Sequence, residues 1–426
     1  MNEYSHEMFS QELQSQIKNK FYFVNYDPYT KKDRLFFENA GGSYRLKAAV
    51  EMGSIKDAMP DCPDRSHKAA RYLNDVLEQG VLDIRTIFNA KRGIIAFELT
   101  ASQMMFNMVK TIAENVEGTN MVTTALEHPS AFDAVNYYTN KLGKELRVAG
   151  TNNETGGVDP KEILKLIDKD TILLSVMYAS NFTGAVLDIE TIVREARKIK
   201  PDLFIVIDAV QHAAHGIIDI EKTPVDGMNF GAYKFFGCRG IGVGYLSDRL
   251  SKLSHHKILE KPVDEWRLGS PVPLQLASIS EVVNYVCWIG SKFTDKTNKR
   301  ELYVEGMTRI KLHERALLDR MLNGTEEVKG LRYIKGVTVY PDCKDLTNRD
   351  LILPIGFEKV SYEQAVDEYE KRGVIVRESQ KSSMFFRRIL EAFGMEGALR
   401  VSPLHCNSPE DIDLFLKITQ EIVQSC

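Results

Sequence analysis

Two neighbouring stretches decide the fold, FIVIDAVQ (Phe204–Gln211) and FGAYKFFGCRG (Phe230–Gly240). The first is an apolar run that ends at Asp208, and the second places Lys234 among aromatic residues just ahead of glycines. Runs that are apolar throughout are typical of strands buried on both faces of a sheet. Because an ammonium group is costly to move out of water, a lysine in such a place predicts a chemical role.

Outward from these runs, short β-rich segments alternate with amphipathic helical segments. The pattern predicts strands at 119–126, 145–150, 171–178, 202–210, 227–233 and 242–247, and helices at 130–143, 159–168 and 188–200. Apolar strands separated by helices indicate an α/β fold, a mostly parallel sheet sandwiched by helices.

The pattern changes after about residue 296, where a long helical segment precedes short strands and further helices. We therefore predict a large cofactor-binding α/β domain at 36–295 and a smaller α+β domain at 296–426, with 1–35 packing on the smaller one. A site is expected in the cleft between the domains, at the carboxyl ends of the core strands.

The composition excludes several classes of protein. The chain has 426 residues, 43% of them hydrophobic, and a net charge of −4, with no basic block that would indicate nucleic acid. Its six cysteines form no CxxC pair, which argues against a zinc site and a disulfide framework. No stretch reaches the roughly 18 apolar residues of a membrane span, and the N-terminus has no signal core. We expect a cytoplasmic protein without metal, nucleic-acid or membrane partners.

Polar residues follow several predicted strands and converge on one edge of the sheet. Besides Lys234, they include Asp208, Gln211, Glu127, His128 and Asn181. Nearby, FELTASQMMF predicts a helix that opens near Ser102, whose free N–H groups and dipole would make a phosphate seat. A lysine, an acid, a stacking ring and a phosphate seat are together what pyridoxal 5′-phosphate needs.

Each residue then has a predicted role. Lys234 would carry the cofactor as a Schiff base, and Asp208 would pair with the pyridine nitrogen. His128 would stack on the ring, although a helix-capping or core histidine is the alternative. Gln211 and Asn181 would bind the phenolic oxygen, although Asn181 could instead cap the turn in SNFTG.

The run IDAVQHAAHGIIDIEKTPVDGMNFGAYKFFGCRGIGVGYLSDRL resembles the class V aminotransferase family, and within it the cysteine desulfurase-like and isopenicillin N epimerase-like group. The resemblance extends through LFFENAGGSYR, TALEHPS, SNFTGAVLDI and ALRVSPLHCNSPEDID. It implies fold type I with a seven-stranded type of sheet, and a homodimer whose sites lie at the subunit interface. It also implies that Arg400 grips the α-carboxylate of the substrate, with Asn39 and Ala40 lining the same pocket.

The sequence departs from this family around the phosphate. Gly231 and Tyr233 stand where many relatives carry a serine phosphate ligand and a histidine. The resemblance therefore places more of the phosphate binding on Ala101, Ser102 and Gln103, with Tyr233 beside the cofactor. It also implies that Ser270 of the partner subunit contributes, and Arg267 stands where relatives often have glutamate.

A second departure concerns sulfur. Desulfurases that hand sulfur to a partner keep a nucleophilic cysteine on a loop before the carboxylate-binding arginine, but residues 377–399 contain none. Cys406 follows Arg400, and Cys238 comes four residues after Lys234. Neither lies on the expected loop, so the resemblance does not extend to persulfide transfer.

The sequence thus predicts a pyridoxal-phosphate enzyme, a lyase or transferase, that acts on a small α-amino acid through an external aldimine. A cysteine desulfurase-like or C–S lyase reaction is preferred on the resemblance alone. An aminotransferase, an amino-acid epimerase and a non-catalytic cofactor-binding regulator remain as alternatives.

Overall fold

The structure is a computed structural model that describes residues 4–425. In chain order its strands are β1 (Leu35–Phe36), β2 (Ile94–Glu98), β3 (Asn120–Thr124), β4 (Glu145–Ala149), β5 (Thr171–Met177), β6 (Phe204–Asp208), β7 (Gly227–Gly231), β8 (Gly242–Leu246), β9 (Val337–Val339), β10 (Leu353–Phe357), β11 (Val374–Ile375), β12 (Arg377–Gln380) and β13 (Gly397–Val401). Its α-helices are α1 (Gln11–Asn19), α2 (Lys47–Asp57), α3 (Lys68–Phe88), α4 (Ala101–Asn115), α5 (Pro129–Lys141), α6 (Pro160–Leu164), α7 (Ile189–Ile199), α8 (Asp248–Ser251), α9 (Pro273–Gly290), α10 (Lys299–Asn323), α11 (Tyr362–Lys371), α12 (Arg387–Ala392) and α13 (Pro409–Ser425).

The main sheet has seven strands in the order β2-β8-β7-β6-β5-β3-β4. Strands β3 to β7 pair in parallel, whereas β8 runs antiparallel to both of its neighbours, β7 and β2. Strands β3, β5, β6, β7 and β8 are buried along their whole length, as expected of the inner strands of a sheet covered on both faces. The predicted α/β class and mostly parallel sheet are confirmed.

This topology brings the candidate residues together. Asp208 is the last residue of β6, and Lys234 closes a short 3₁₀ turn directly after β7. His128 lies after β3, and Asn181 lies four residues beyond β5. Because the carboxyl ends of parallel strands meet at one edge, these side chains converge there.

A second sheet lies in the C-terminal part of the chain, in the antiparallel order β12-β13-β10-β9. Arg400 belongs to the interior strand β13, where it is paired with Pro354 on one side and Arg377 on the other. Strands β1 and β11 form a separate short parallel pair that ties the beginning of the chain to this region.

The proposed domain boundaries stay predictions, and residues 1–3 and 426 of those ranges lie outside the described residues. Helix α10 supplies side chains to two cores: its Tyr303 and Met307 pack with the main sheet, and its Leu317 and Met321 pack with the C-terminal elements. In the N-terminal segment, Ile17 also packs in the core of the main sheet. Over residues 4–425, none of the helices is long and apolar enough to cross a membrane.

Candidate active site

A cavity of about 350 Å³ lies at the carboxyl ends of β3, β5, β6 and β7. Eight of the thirteen predicted site residues line it: Ala101, Ser102, His128, Asn181, Asp208, Gln211, Tyr233 and Lys234. The other five, Gln103, Ser270, Asn39, Ala40 and Arg400, are not among its lining residues. The sequence therefore predicted the centre of this cavity better than its margins.

Lys234 lies in the cavity and is only 9% exposed. Burial, reinforced by the positive charge of Arg400, lowers the pKa of its amine to about 8, although Asp208 opposes the shift. An amine with such a pKa loses its proton readily near neutral pH, as Schiff-base chemistry requires.

Asp208 faces the same cavity at the end of β6. Its Oδ1 accepts a hydrogen bond from the Val210 amide at 3.0 Å. Burial raises the pKa of this carboxyl, and the Val210 hydrogen bond and the Lys234 charge reduce the shift only in part. A protonated ring nitrogen in the cavity would supply the positive charge that the Asp208 carboxylate lacks.

His128 both caps a helix and faces the cavity, so the two roles considered for it are compatible. Its Nδ1 accepts a hydrogen bond from the Ser130 amide at 3.1 Å at the start of α5. Burial and then the charge of Lys234 lower the pKa of the imidazole to about 3, so the ring is neutral. The ring of Phe385 stacks on it with 6.0 Å between centroids. A neutral aromatic ring held in this way can lie flat on a planar cofactor.

The N-terminus of α4 forms one wall of the cavity. Thr100 caps the helix, and its Oγ1 accepts a hydrogen bond from the Gln103 amide at 3.1 Å. Ala101 and Ser102 come first in the helix and line the cavity, whereas Gln103 uses its amide for the cap. Gly242 of β8 lets this turn approach closely, because a Cβ there would clash with the backbone of Thr100 and Ala101.

Asn181 does not cap its own turn. The hydroxyl of Ser180 does so, accepting hydrogen bonds from the amides of Phe182 at 3.2 Å and Thr183 at 3.0 Å. The buried Oδ1 of Asn181 has no hydrogen-bond partner among residues 4–425. The side-chain amide oxygen of Asn181 is therefore available to accept a hydrogen bond from a ligand in the cavity.

The side-chain amide of Gln211 contacts a buried ion pair, formed by His215 and Glu314. This amide lies 3.3 Å from Nε2 of His215, whose Nδ1 is 2.7 Å from Glu314 Oε2. Burial alone would lower the pKa of His215, but the Glu314 carboxylate raises it to about 9. A charged His215 donates from Nε2, so the oxygen of the Gln211 amide must face it and the NH₂ group must face the cavity.

These observations fit pyridoxal 5′-phosphate. The cavity offers a deprotonable lysine, a carboxylate that lacks a close cation, the unpartnered buried Oδ1 of Asn181 and the NH₂ group of Gln211. It also has a neutral stacking ring and the first turn of a helix. Each of these groups matches a different part of the cofactor.

Arg400 lies beyond the cavity wall and is almost fully buried. Its Nη1 donates to the carbonyl oxygen of Asn181 at 2.8 Å, and its Nη2 is paired with Glu38. Burial lowers the pKa of the guanidinium, while Glu38 opposes that shift. Sequence reasoning missed Glu38, which stands directly before the predicted Asn39.

Asn39 and Ala40 are held by backbone contacts. The Asn39 Nδ2 group donates to the carbonyl oxygens of Phe36 and Ser402, each at 3.0 Å, and Oδ1 accepts from the Tyr44 amide at 3.0 Å. The Ala40 amide donates to the Ser402 hydroxyl at 3.0 Å. The Asn39 side chain therefore fixes the chain that carries Glu38.

Ser270 lines a second cavity of about 340 Å³, which shares Leu99, Gly240 and Ile241 with the first. None of the cysteines within residues 4–425 lines the first cavity. Cys406 is fully buried, and burial raises the pKa of its thiol well above the usual range.

Glu127, to which the sequence assigned no role beyond its place at this edge of the sheet, forms a partly buried contact with Arg388. Glu127 is buried, its Oε1 accepts from the Met177 amide at 2.9 Å, and burial raises its pKa to about 8. Arg388 donates to the carbonyl oxygens of Ala125 and Glu127 at 2.7 Å each. The sequence signal that could have indicated a role for Glu127 is its position next to His128, after a buried strand.

Comparison with known proteins supports the same assignment. The model of the family "Aminotransferase class-V" matches residues 61–415. The cysteine desulfurase IscS of Buchnera aphidicola subsp. Acyrthosiphon pisum (strain 5A) is 33% identical over 195 residues, covering 45% of this chain and 47% of the relative. This chain thus spans about half the length of the first curated relatives that it matches. A probable cysteine desulfurase of Mycoplasma genitalium is 25% identical over 409 residues, covering 93% of this chain and 92% of the relative.

Solved structures show the same fold. The apo structure of cysteine desulfurase from Thermococcus onnurineus NA1 has a TM-score of 0.79 at 20% identity, covering 97% of this chain and 98% of its own. Cysteine desulfurase CsdA from Escherichia coli has a TM-score of 0.79 at 17% identity, covering 98% and 99%. The predicted family, fold type and cofactor are confirmed. The chain belongs to the class-V aminotransferase family, whose members are pyridoxal-phosphate-dependent enzymes.

Proposed function

We propose that this protein is a pyridoxal-phosphate enzyme that acts on a small α-amino acid in a cysteine desulfurase-like or C–S lyase reaction. The observation that carries the proposal is the buried Lys234, with a pKa of about 8, in one cavity with Asp208 and a neutral His128. The names of the relatives, which are cysteine desulfurases, support the sulfur chemistry.

The cofactor would be held by Lys234, by Asp208 at the ring nitrogen and by the first turn of α4 at the phosphate. When bound, it supplies an electron sink next to the Cα atom of the substrate. Arg400 orients the substrate by its α-carboxylate. Lys234 takes and returns the proton at Cα, which its lowered pKa allows near neutral pH. His128 faces the cavity, and Phe385 stacks on its imidazole ring from outside the cavity lining.

Reduction with borohydride tests the assignment of Lys234. The protein loaded with pyridoxal 5′-phosphate is reduced, digested and mapped by mass spectrometry, and we expect the label on the peptide that contains Lys234. Lys234→Arg, which keeps the charge, should abolish the label and the turnover. A label on another lysine in the wild type would refute the assignment.

A panel of free amino acids tests the reaction. Alanine formed from cysteine, with sulfide released only when a thiol reductant such as dithiothreitol is added, would support a desulfurase. Release of sulfide with pyruvate and ammonia, without a reductant, would support a C–S lyase. Keto acids formed only in the presence of an amino-group acceptor would instead favour an aminotransferase. That second candidate is favoured by one observation, the absence of a cysteine from the cavity lining among residues 4–425.

We also propose that the protein is a homodimer. The exposed apolar side chains of Leu99 and Leu268 border the second cavity, which Ser270 lines, and they support a partner subunit there. Light scattering should give about twice the chain mass of 48.3 kDa, and Ser270→Ala should weaken cofactor binding. A monomer with full cofactor affinity would contradict this. A cytoplasmic location stays a prediction.

A further inference from the structure

Glu38 lies between two arginines at the edge of the active site. Its carboxylate is paired with Nη2 of the buried Arg400, and Oε1 lies 3.9 Å from Nη1 of Arg377. The three side chains come from the segment after β1 and from the paired strands β12 and β13. Glu38 and both arginines act electrostatically on Lys234, so they belong to its surroundings.

The chain is built to hold this carboxylate in place. A Cβ at Gly41 would clash with both carboxylate oxygens of Glu38, so glycine lets the side chain fold back over the following turn. The Gly41 amide donates to the Glu38 carbonyl oxygen at 3.1 Å, and a backbone bridge joins Glu38 to Ser402. Only a small part of the Glu38 side chain is exposed, so its ion pair with Arg400 is weakly screened.

A substrate carboxylate must compete with Glu38. Nη1 of Arg400 donates to the Asn181 carbonyl oxygen, Nη2 is paired with Glu38, and the buried Nε has no hydrogen-bond partner among the described residues. Bidentate binding needs two adjacent donors of the guanidinium. The two edges of a guanidinium that can bind a carboxylate bidentately, Nε with Nη2 and Nη1 with Nη2, both include Nη2, so a bidentate substrate carboxylate needs the nitrogen that is now paired with Glu38. Two carboxylates on one guanidinium would also repel each other.

Arg377 offers Glu38 another partner. It is more exposed than Arg400, and its guanidinium packs over the ring of Phe386 at 5.0 Å, as that of Arg400 does at 5.5 Å. A small shift of the Glu38 side chain would therefore exchange one cation for the other without leaving a buried carboxylate unpaired.

We propose that Glu38 determines substrate specificity: it pairs with Arg400 before substrate binds, and it transfers to Arg377 when an α-carboxylate takes its place. The inference rests on the proposed function, in which Arg400 binds the α-carboxylate. Only a ligand with a negative charge at this position can displace Glu38, so amino acids are accepted and their amides are rejected. Arg377 is a positioning residue, because it acts through Glu38.

Binding of propionate, followed by ligand-observed NMR, tests the exchange without turnover. The protein is used in its cofactor-loaded form, and propionamide serves as the uncharged control ligand. Glu38→Gln removes the competing charge and should tighten propionate binding by about tenfold, with no gain for propionamide. Arg377→Gln removes the alternative partner and should weaken propionate binding by several-fold, whereas Arg377→Lys should restore it in part. Glu326→Gln, on the exposed surface, is the charge-matched control.

The outcomes separate the inference from the proposed function. If Arg400→Lys greatly weakens propionate binding while Glu38→Gln and Arg377→Gln leave it unchanged, the exchange is refuted and the role of Arg400 stands. If Arg400→Lys has no effect on propionate, the carboxylate site proposed for this enzyme is itself wrong. If Glu38→Gln does not fold, Arg377→Gln decides, because that side chain lies nearer the surface; unchanged propionate binding in Arg377→Gln overturns the proposal.

Discussion

Two regions of the active site deal with buried charge in opposite ways. The cavity floor, which consists of Lys234, Asp208 and His128, contains ionisable groups that form no ion pair with residues 4–425, and burial shifts the pKa of each so that the neutral form is favoured. In the arginine wall, which consists of Glu38, Arg377 and Arg400, the side chains form ion pairs with one another. The difference suits two tasks, because proton transfer needs groups that change charge easily, while carboxylate recognition needs a permanent charge.

The largest expected effect comes from Asp208 in the cavity floor. Asp208→Ala should lower kcat/KM by about 1,000-fold, because the positive charge on the ring nitrogen loses its counter-charge. Cofactor should still bind, since Lys234 and the first turn of α4 remain. Absorbance of the bound cofactor and steady-state kinetics measure the two properties separately. Asp202→Ala, at an exposed position ahead of the same strand, is the control, and full activity of Asp208→Ala would remove Asp208 from the mechanism.

The sequence predicted those parts of the site that follow from local pattern. Lys234, Asp208, His128 and Asn181 each lie at or shortly after the end of a buried strand, and parallel strands bring their ends together. The same local signals predicted most strands and helices of the main sheet. The half-buried edge strand β2 was missed, because five residues without full burial give a weak pattern.

The arginine wall could not be predicted in full, because its contacts join distant parts of the chain. Glu38 and Arg400 are 362 residues apart, and nothing in either local sequence indicates that they pair. The same holds for His215 and for Glu314, which lies 99 residues away. Burial patterns tell which side chains are inside, whereas the choice of partner depends on tertiary packing.

The buried ion pair of His215 and Glu314 lies behind the cavity floor, yet both of its groups are charged. It therefore extends the comparison between the two regions. The folded-state pKa of His215 is raised to about 9, so its contribution to stability is full below its unfolded pKa near 6.5 and is lost as pH rises through 9. The folded-state pKa of Glu314 is lowered to about 2. Its contribution to stability is therefore full above about pH 4.5 and is lost as the pH falls toward 2.

His215→Asn should therefore lower the free energy of unfolding by about 3 kcal/mol between pH 5 and 6, with a smaller loss above pH 9. Urea denaturation at pH 5.5 and 9.5 measures the difference. His256→Asn, at an exposed position, serves as the control. An equal loss at both pH values would mean that the pair is not charged in the folded protein.

The cost of burying Lys234 gives a further test, in the cofactor-free protein. Its folded-state pKa is lowered from 10.5 to about 8, so the unfolded chain holds an extra proton between these values and stability rises with pH there. Lys234→Met should raise the free energy of unfolding at pH 7 by on the order of 1–3 kcal/mol, and this gain should vanish as pH approaches 10.5.

Denaturation of the two cofactor-free proteins from pH 7 to 10.5 measures this difference. Lys335→Met, at an exposed position, should show no such trend. If Lys234→Met is no more stable than the wild type at pH 7, the lysine is compensated in the folded protein, and the contrast between cavity floor and arginine wall would be wrong.

The smallest expected effect concerns the cysteines, which belong to neither region. Cys238 is fixed by its amide, which donates to the Ser278 hydroxyl at 3.2 Å, and Cys406 is fully buried with a neutral thiol. A sulfur relay needs a thiolate that is mobile and exposed.

The double variant Cys238→Ser, Cys406→Ala should therefore keep kcat/KM within about twofold of the wild type, as expected for substitutions away from the reacting atoms. Alanine is chosen at 406 because serine would bury a hydroxyl group there. The rate on the best amino acid and mass spectrometry of the wild type after turnover measure the outcome, with Asp208→Ala as the reference for lost activity. A persulfide on either cysteine, together with loss of turnover in the double variant, would show that sulfur passes through a thiol that must move into the cavity.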